Sequence, residues 1–210
     1  MANKKVLEVV ICGVGGQGVV LMSELLGTAA VKGGIGVKGS EVLGMAQRGG
    51  SVFSNLRLGD DIYSPLSTEG TCDILLAVEP SEAVRNIQFL SKSSIVILNT
   101  TKVLPFTVFL GQSGYPEIDA ILEKLNSVSE KVIALDASKI ATEAGNIQTT
   151  NVVMMGALFG TGLLPVSVDI AKEVVKNRVP TKAIDANLKA FDMGYEEVKK
   201  QLKGAVTKRQ

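Results

Sequence analysis

The chain has 210 residues, 46% hydrophobic and 20% charged, enough apolar material for a buried core and too little charge for a disordered segment. Its 22 basic and 21 acidic side chains leave a net charge of +1, too weak a field to gather nucleic acid or an anionic membrane surface. With no histidine and only Cys12 and Cys72, imidazole acid–base chemistry, a His-ligated metal, a four-thiolate iron–sulfur cluster and a disulfide framework are excluded from this chain.

In chain order, Val6–Cys12 reads as a buried strand; Glu8 and the glycines that follow argue against a signal peptide. A helix follows from about Gly16 to Lys32, then a short apolar run at Val37, which is the pattern of a βαβ unit. Ser51–Tyr63, with Gly59-Asp60-Asp61 between β-prone pieces, reads as a β-hairpin inserted into the sheet. Further buried strands are expected at Ile74–Val78, Ile95–Leu98 and Val132–Leu135. Between them lie helices at Pro80–Leu90 and Pro116–Asn126, each with a proline placed for the first turn.

The last third is helical, over Asn151–Leu164, Val168–Asn177 and Lys182–Leu202, with Ser167 and Thr181 as caps of the final two. In the last helix Ile184, Leu188, Phe191, Tyr195, Val198 and Leu202 form an apolar stripe. Val152–Val166 is too short and too glycine-rich to span a bilayer. The fold class is therefore α/β: a Rossmann-like, mostly parallel sheet with an inserted hairpin and a helical C-terminal third, one unit over residues 1–210. Isolated cysteines of this kind fit a reducing, cytoplasmic setting. A mean hydropathy of +0.28 with 4% aromatics is high for a lone domain and points to a surface covered by another subunit.

Gly13-Val14-Gly15-Gly16-Gln17-Gly18 joins the first strand to the first helix, the context in which glycines allow close backbone approach and the helix start offers amides to an anion. Two readings stay open. One is dinucleotide binding, for which Glu41, 23 residues past Gly18, is the nearest candidate ribose ligand. The other is backbone packing with an anion or partner contact, favoured because Lys38-Gly39-Ser40 interrupts the second strand.

Glu41, Gln47, Arg48, Gly49, Gly50 and Ser51 form a second cluster. Arg48 beside two glycines suits a carboxylate, a phosphate or a partner's carbonyls, or is a solvated residue before a turn. Glu79, and Asn99 with Thr100, stand where open α/β sheets bind ligands, yet each is equally suited to capping or turning; the same holds for Asp136. The apolar stretch from Asn99 to Gly114 reads as a substrate-facing lid or as another strand. No serine or cysteine has a visible base, so no catalytic residue and no metal ligand is assigned.

Taken together, Gly13-Val-Gly-Gly-Gln-Gly18, Ser40-Glu-Val-Leu-Gly-Met-Ala-Gln-Arg-Gly-Gly-Ser51, Tyr63-Ser-Pro-Leu66 and Ala77-Val-Glu-Pro80 resemble the gamma-type subunits of 2-oxoacid:ferredoxin oxidoreductases. Gly-Met-Ala-Gln-Arg-Gly-Gly is closest to the beta subunits of the archaeal indolepyruvate branch. Glu143-Ala-Gly-Asn146, Asn151-Val-Val-Met-Met-Gly-Ala157 and Asn187-Leu-Lys-Ala-Phe-Asp-Met-Gly-Tyr195 extend the likeness over nearly the whole chain.

The resemblance implies a non-autonomous subunit of an enzyme that oxidatively decarboxylates an aryl pyruvate to an acyl-CoA. Thiamine diphosphate, magnesium and [4Fe–4S] clusters would lie on a larger alpha subunit, with coenzyme A as co-substrate and ferredoxin meeting the complex. Neither nucleic acid nor membrane is expected as a partner. A stand-alone NAD-dependent oxidoreductase and a nucleotide- or acyl-CoA-sensing module remain as alternatives, because the fold alone serves all three.

Overall fold

The computed structural model describes residues 6–46 and 49–207. Six strands, β1 (Val6–Val14), β2 (Val37–Leu43), β3 (Ser51–Gly59), β4 (Ile74–Ala77), β5 (Ile95–Asn99) and β6 (Lys131–Leu135), form one sheet in the order β2-β3-β1-β4-β5-β6. β1, β4, β5 and β6 pair in parallel, whereas β3 runs antiparallel to both β1 and β2. Five of the six described strands thus point the same way, and β3 is the one reversed.

The helices are α1 (Val19–Lys32), α2 (Pro80–Arg85), α3 (Phe106–Phe109), α4 (Ile118–Val128), α5 (Ala137–Ala144), α6 (Thr150–Gly160), α7 (Val168–Arg178) and α8 (Ile184–Thr207). The period of two in the strands sorts their side chains between two helical layers. Val9, Ile11, Ile74, Leu76, Ile97 and Ile133 face one layer, built from α1 and α5 to α8. Val10, Cys12, Leu75, Ala77, Val96 and Leu98 face the other, built from α2 and α4.

The inserted hairpin lies one element earlier than the turn residues indicate. Its strands are β2 and β3, joined across Gly44–Gly50, with Gly44 N donating to Ser51 O at 2.9 Å. Ser51–Gly59 is a single strand that pairs on both sides, and Gly59-Asp60-Asp61 instead leads into the 60–73 segment. That segment packs over β3: Arg57 donates to Ser64 O at 3.1 Å and pairs with Glu8 at 3.2 Å. β1, α1 and β2 still form a parallel crossover, with β3 filling the place between the strands.

One of the two expected caps and one of the two helix-start prolines differ from expectation. Ser167 does accept from Ile170 N at 3.3 Å and starts α7. Thr181 does not cap: it sits inside a 3-10 turn, Thr181–Ala183, whose leading residue is Pro180. Pro80 is at the first turn of α2, but Pro116 stands before Glu117, the residue that opens α4. The Asn99–Gly114 stretch contributes no strand; it carries α3, with Phe106 and Phe109 73% and 72% exposed.

On α8, which packs chiefly on α6, the buried line is Asn187, Ala190, Phe191, Gly194 and Val198, with Ile184, Leu188 and Tyr195 half-buried beside it. Small residues set this offset. Gly156 and Gly160 of α6 and Gly194 of α8 let the two backbones touch, and a β-carbon on Gly160 would stand 2.6 Å from Tyr195 O.

Candidate functional site at the C-terminal edge of the sheet

β1 leads to α1 on one face and β4 leads to α2 on the other, so the gap between their C-terminal ends is the place where open α/β sheets form a crevice. Gln17 fills that gap. Its Oε1 accepts from Val14 N at 2.9 Å and its Nε2 donates to Val78 O at 3.4 Å. Gly13 leaves room for this side chain, since a β-carbon there would sit 2.8 Å from Gln17 Oε1 and displace it. Gly16 and Gly18 take φ of 100° and 79°, a left-handed turn that costs glycine little.

The two predicted clusters meet. Gly15 N donates to Gly50 O at 2.8 Å and Gly49 N to Gly15 O at 3.1 Å, joining the first glycine turn to the hairpin connection. Ser51 extends the junction by donating to Glu82 Oε2 at 2.5 Å. Glu41 stands apart, exposed on the edge strand β2 opposite Ser54. Gln47 and Arg48 lie outside the described residues.

Glu79, Asn99 and Thr100 do reach this edge, and their side chains are engaged there. Glu79, fully buried, caps α2 through Glu82 N at 3.1 Å and also takes Ser81 Oγ at 2.6 Å. Asn99 donates to Val78 O at 3.0 Å and accepts from Ala137 N at 3.0 Å and Thr101 N at 3.3 Å. Thr100 is bonded to Leu135 O through its amide at 3.0 Å. Asp136 caps α5 by accepting from Lys139 N at 2.9 Å. Glu79 and Asp136 thus act as caps and Asn99 ties the turns around it, while Thr100 extends the pairing of β5 with β6.

Two cavities flank the start of α1. One, of about 570 Å³, lies between α1 and the hairpin connection and is walled by Val14, Val20, Leu43 and Val52, with the Glu24–Arg178 pair, 3.3 Å apart, among its lining residues. The other, of about 420 Å³, opens between α1 and the β4 and β5 ends. Neutral polar groups line it: Gln17, Asn99, Thr101, Ser138, Gln148 and Asn151. Asn151 crowds Gly18, where a β-carbon would be 2.8 Å from its Nδ2. Such walls offer hydrogen bonds to a ligand or a neighbouring surface and supply no general base.

Sequence reasoning missed Glu82, Tyr115, Ser138 and Arg178. Only Glu82 left a trace, as an acid three residues after the capping Glu79. Burial raises its carboxyl above the ordinary range, with Ser51 and Arg85 pulling the other way. A carboxyl raised in the folded state stabilises the fold fully below the unfolded value of 4.5, and that contribution is lost as pH rises through the folded value. Glu82→Gln is expected to narrow this dependence: its stability relative to wild type should be greater at pH 8 than at pH 4, as chemical denaturation at the two pH values would show.

Two buried cysteines do not fit a four-thiolate iron–sulfur cluster. Cys12 and Cys72 are buried in β1 and just before β4; burial pushes the Cys12 thiol well up and the Cys72 thiol to about 12, away from the thiolate a metal needs. Among the described residues no three Cys, Asp or Glu converge as metal ligands, and no helix is long and apolar enough to cross a membrane. Dinucleotide binding is also disfavoured: β3 separates β1 from β2, which puts Glu41 about 10 Å from the glycine strand, two strand spacings away.

The chain is 44% identical over 191 residues to the indolepyruvate oxidoreductase subunit IorB of Archaeoglobus fulgidus, covering 91% of this chain and 94% of that one. The pyruvate oxidoreductase subunit PORC of Thermotoga maritima has the same fold at a TM-score of 0.68 and 25% identity, over 92% and 97% of the two chains. In the 2-oxoglutarate:ferredoxin oxidoreductase of Magnetococcus marinus the fold recurs at a TM-score of 0.72 and 22% identity, covering 94% of this chain and 32% of that longer one. With residues 8–197 also matching its family description, the chain belongs to the pyruvate ferredoxin/flavodoxin oxidoreductase family.

Proposed function

We propose that this chain is the small, cofactor-free subunit of an indolepyruvate-type oxidoreductase. The complex would oxidatively decarboxylate an aryl pyruvate, pass two electrons to ferredoxin and transfer the acyl group to coenzyme A. The observation that carries this reading is the 44% identity, over nearly its full length, to a protein named as a subunit of indolepyruvate oxidoreductase. The site's geometry supports it: its edge offers cavities and hydrogen-bonding groups to a neighbouring surface.

Thiamine diphosphate, its magnesium and the [4Fe–4S] clusters then belong to a larger alpha subunit, which is also what ferredoxin meets, in the cytoplasm. Residues 1–210 act as one unit. The Gly13–Gly18 turn and the Glu41–Ser51 stretch face the alpha subunit near the entrance for substrate or coenzyme A, with Arg48 orienting an anionic group.

Purifying the tagged chain gently from its host tests the assignment. A larger, cysteine-rich partner bringing iron and thiamine is the expected result. A homomer free of both would overturn it and return the choice to nucleotide sensing, checked by titration with NAD and acyl-CoA. In the complex, Arg48→Ala should raise KM for the 2-oxoacid or coenzyme A roughly tenfold, the loss of one charge-assisted contact. Unchanged assembly, KM and kcat would remove Arg48 from this role.

A further inference from the structure

The first turn of α2 carries two carboxylates, and each holds a different segment of the sheet's rim. Glu79 accepts from Val103 N at 3.3 Å and from Tyr115 Oη at 2.5 Å, the two ends of the stretch that bears α3. Glu82 accepts from Ser51 Oγ at 2.5 Å, where the hairpin connection rejoins the sheet. A glutamate three residues after an N-cap commonly turns back to the cap's own amide. Glu82 instead reaches outward, to Ser51 and to Arg85 at 2.9 Å.

A cap alone would not require this arrangement. Serine or aspartate caps a helix as well, whereas Glu79 both caps and gathers donors from positions 24 and 36 residues further along the chain. Both segments so tied leave apolar groups in solvent: Phe106, Phe109 and Leu110 on one, Leu43 and Met45 on the other. Both stand at the C-terminal ends of parallel strands, beside the two cavities.

We propose that Glu79 and Glu82 are positioning residues that fix the α3 segment and the hairpin connection to one helical turn, so that the larger subunit meets both as a single rigid surface. This rests on the subunit reading above. Rigidity matters energetically because a segment ordered before docking loses less conformational entropy when it docks.

The test uses the assembled complex, with hydrogen exchange of this chain read by segment and subunit affinity read by dissociation on dilution. Ser51→Ala and Glu82→Ala should each speed exchange at Gly44 and Gly49 at least tenfold, leaving Leu110 and Gln112 unchanged. Tyr115→Phe should do the reverse. Glu82→Gln, which keeps an acceptor for Ser51, should stay within about threefold of wild type.

Ser51→Ala and Tyr115→Phe should also weaken subunit association about tenfold. If neither variant changes exchange in its own segment, the positioning role is overturned. If exchange responds as expected and association does not, the tethers stand and the assignment of this edge to the larger subunit fails.

Discussion

Gly194→Ala is expected to lower the stability of the fold by about 3 kcal/mol or more, the upper range for inserting atoms into a packed interior. The methyl group would drive into the Val153 carbonyl oxygen on α6, and a methyl on Gly156 would meet the Phe191 carbonyl oxygen on α8. Backbone atoms are the obstacle in both cases, so no rotamer change relieves the clash; the helices must separate. Separation would open the contact of Phe159 with Phe191, whose rings are 5.7 Å apart, and the cover over Val153 and Val198. In a chain of this size the loss corresponds to a Tm fall of roughly 6–12 °C, read by calorimetry. Because either substitution pushes the same pair apart, Gly156→Ala with Gly194→Ala should cost clearly less than the sum of the two.

Asn99→Ala should cost about 3 kcal/mol through a different route. Asn99 is buried to 1% exposure and joins the end of β4, the start of α5 and its own turn through three hydrogen bonds. Truncation strands the Ala137 amide and leaves the Val78 carbonyl with only the long 3.4 Å bond from Gln17, and each loss carries a desolvation cost. Asn99→Asp separates shape from hydrogen bonding. It keeps the acceptor for Ala137 and Thr101 but sets an oxygen against Val78 O, and it should be about as damaging as alanine. Denaturant titration of both variants checks this; an aspartate variant as stable as wild type would show that the Val78 contact carries little.

What local chemistry dictates was legible in the sequence. The strand and glycine turn from Val6 to Gly18, the Glu79-Pro80 helix start and the Ser167 cap each depend on neighbours a few residues away, and the structure has them in place. The hairpin was displaced because two glycine-rich stretches compete for the turn. Gly59-Asp60-Asp61 looks like the tighter one, yet the pairing of Ser51–Gly59 with β1 and β2 at once makes Gly44–Gly50 the connection. β2 itself gives little signal, since an edge strand carrying Lys38, Gly39, Ser40 and Glu41 has no apolar alternation to read.

Long-range choices were not legible. The buried line of α8 runs through Gly194 because α6 approaches there; counting large apolar residues finds Phe191 and Val198 on that line but misses Asn187, Ala190 and Gly194. At the site, the glycine turn and the Gly49–Ser51 stretch were each visible, but their mutual hydrogen bonds depend on pairings 34 and more residues apart. Glu82 and Tyr115 acquire their partners only when α2 packs beside β1 and the α3 segment folds back, and no short motif announces that.

The place of β1 in the sheet also sets an order of events during synthesis. Val6–Val14 emerges from the ribosome before either of its two neighbours, Ser51–Gly59 and Ile74–Ala77. A strand with a fully buried run from Val9 to Cys12 must therefore wait, with an edge open, until synthesis has passed Ala77. Such an interval is when a nascent strand pairs wrongly or aggregates. The burden of keeping this subunit soluble falls on the time before its sheet is closed.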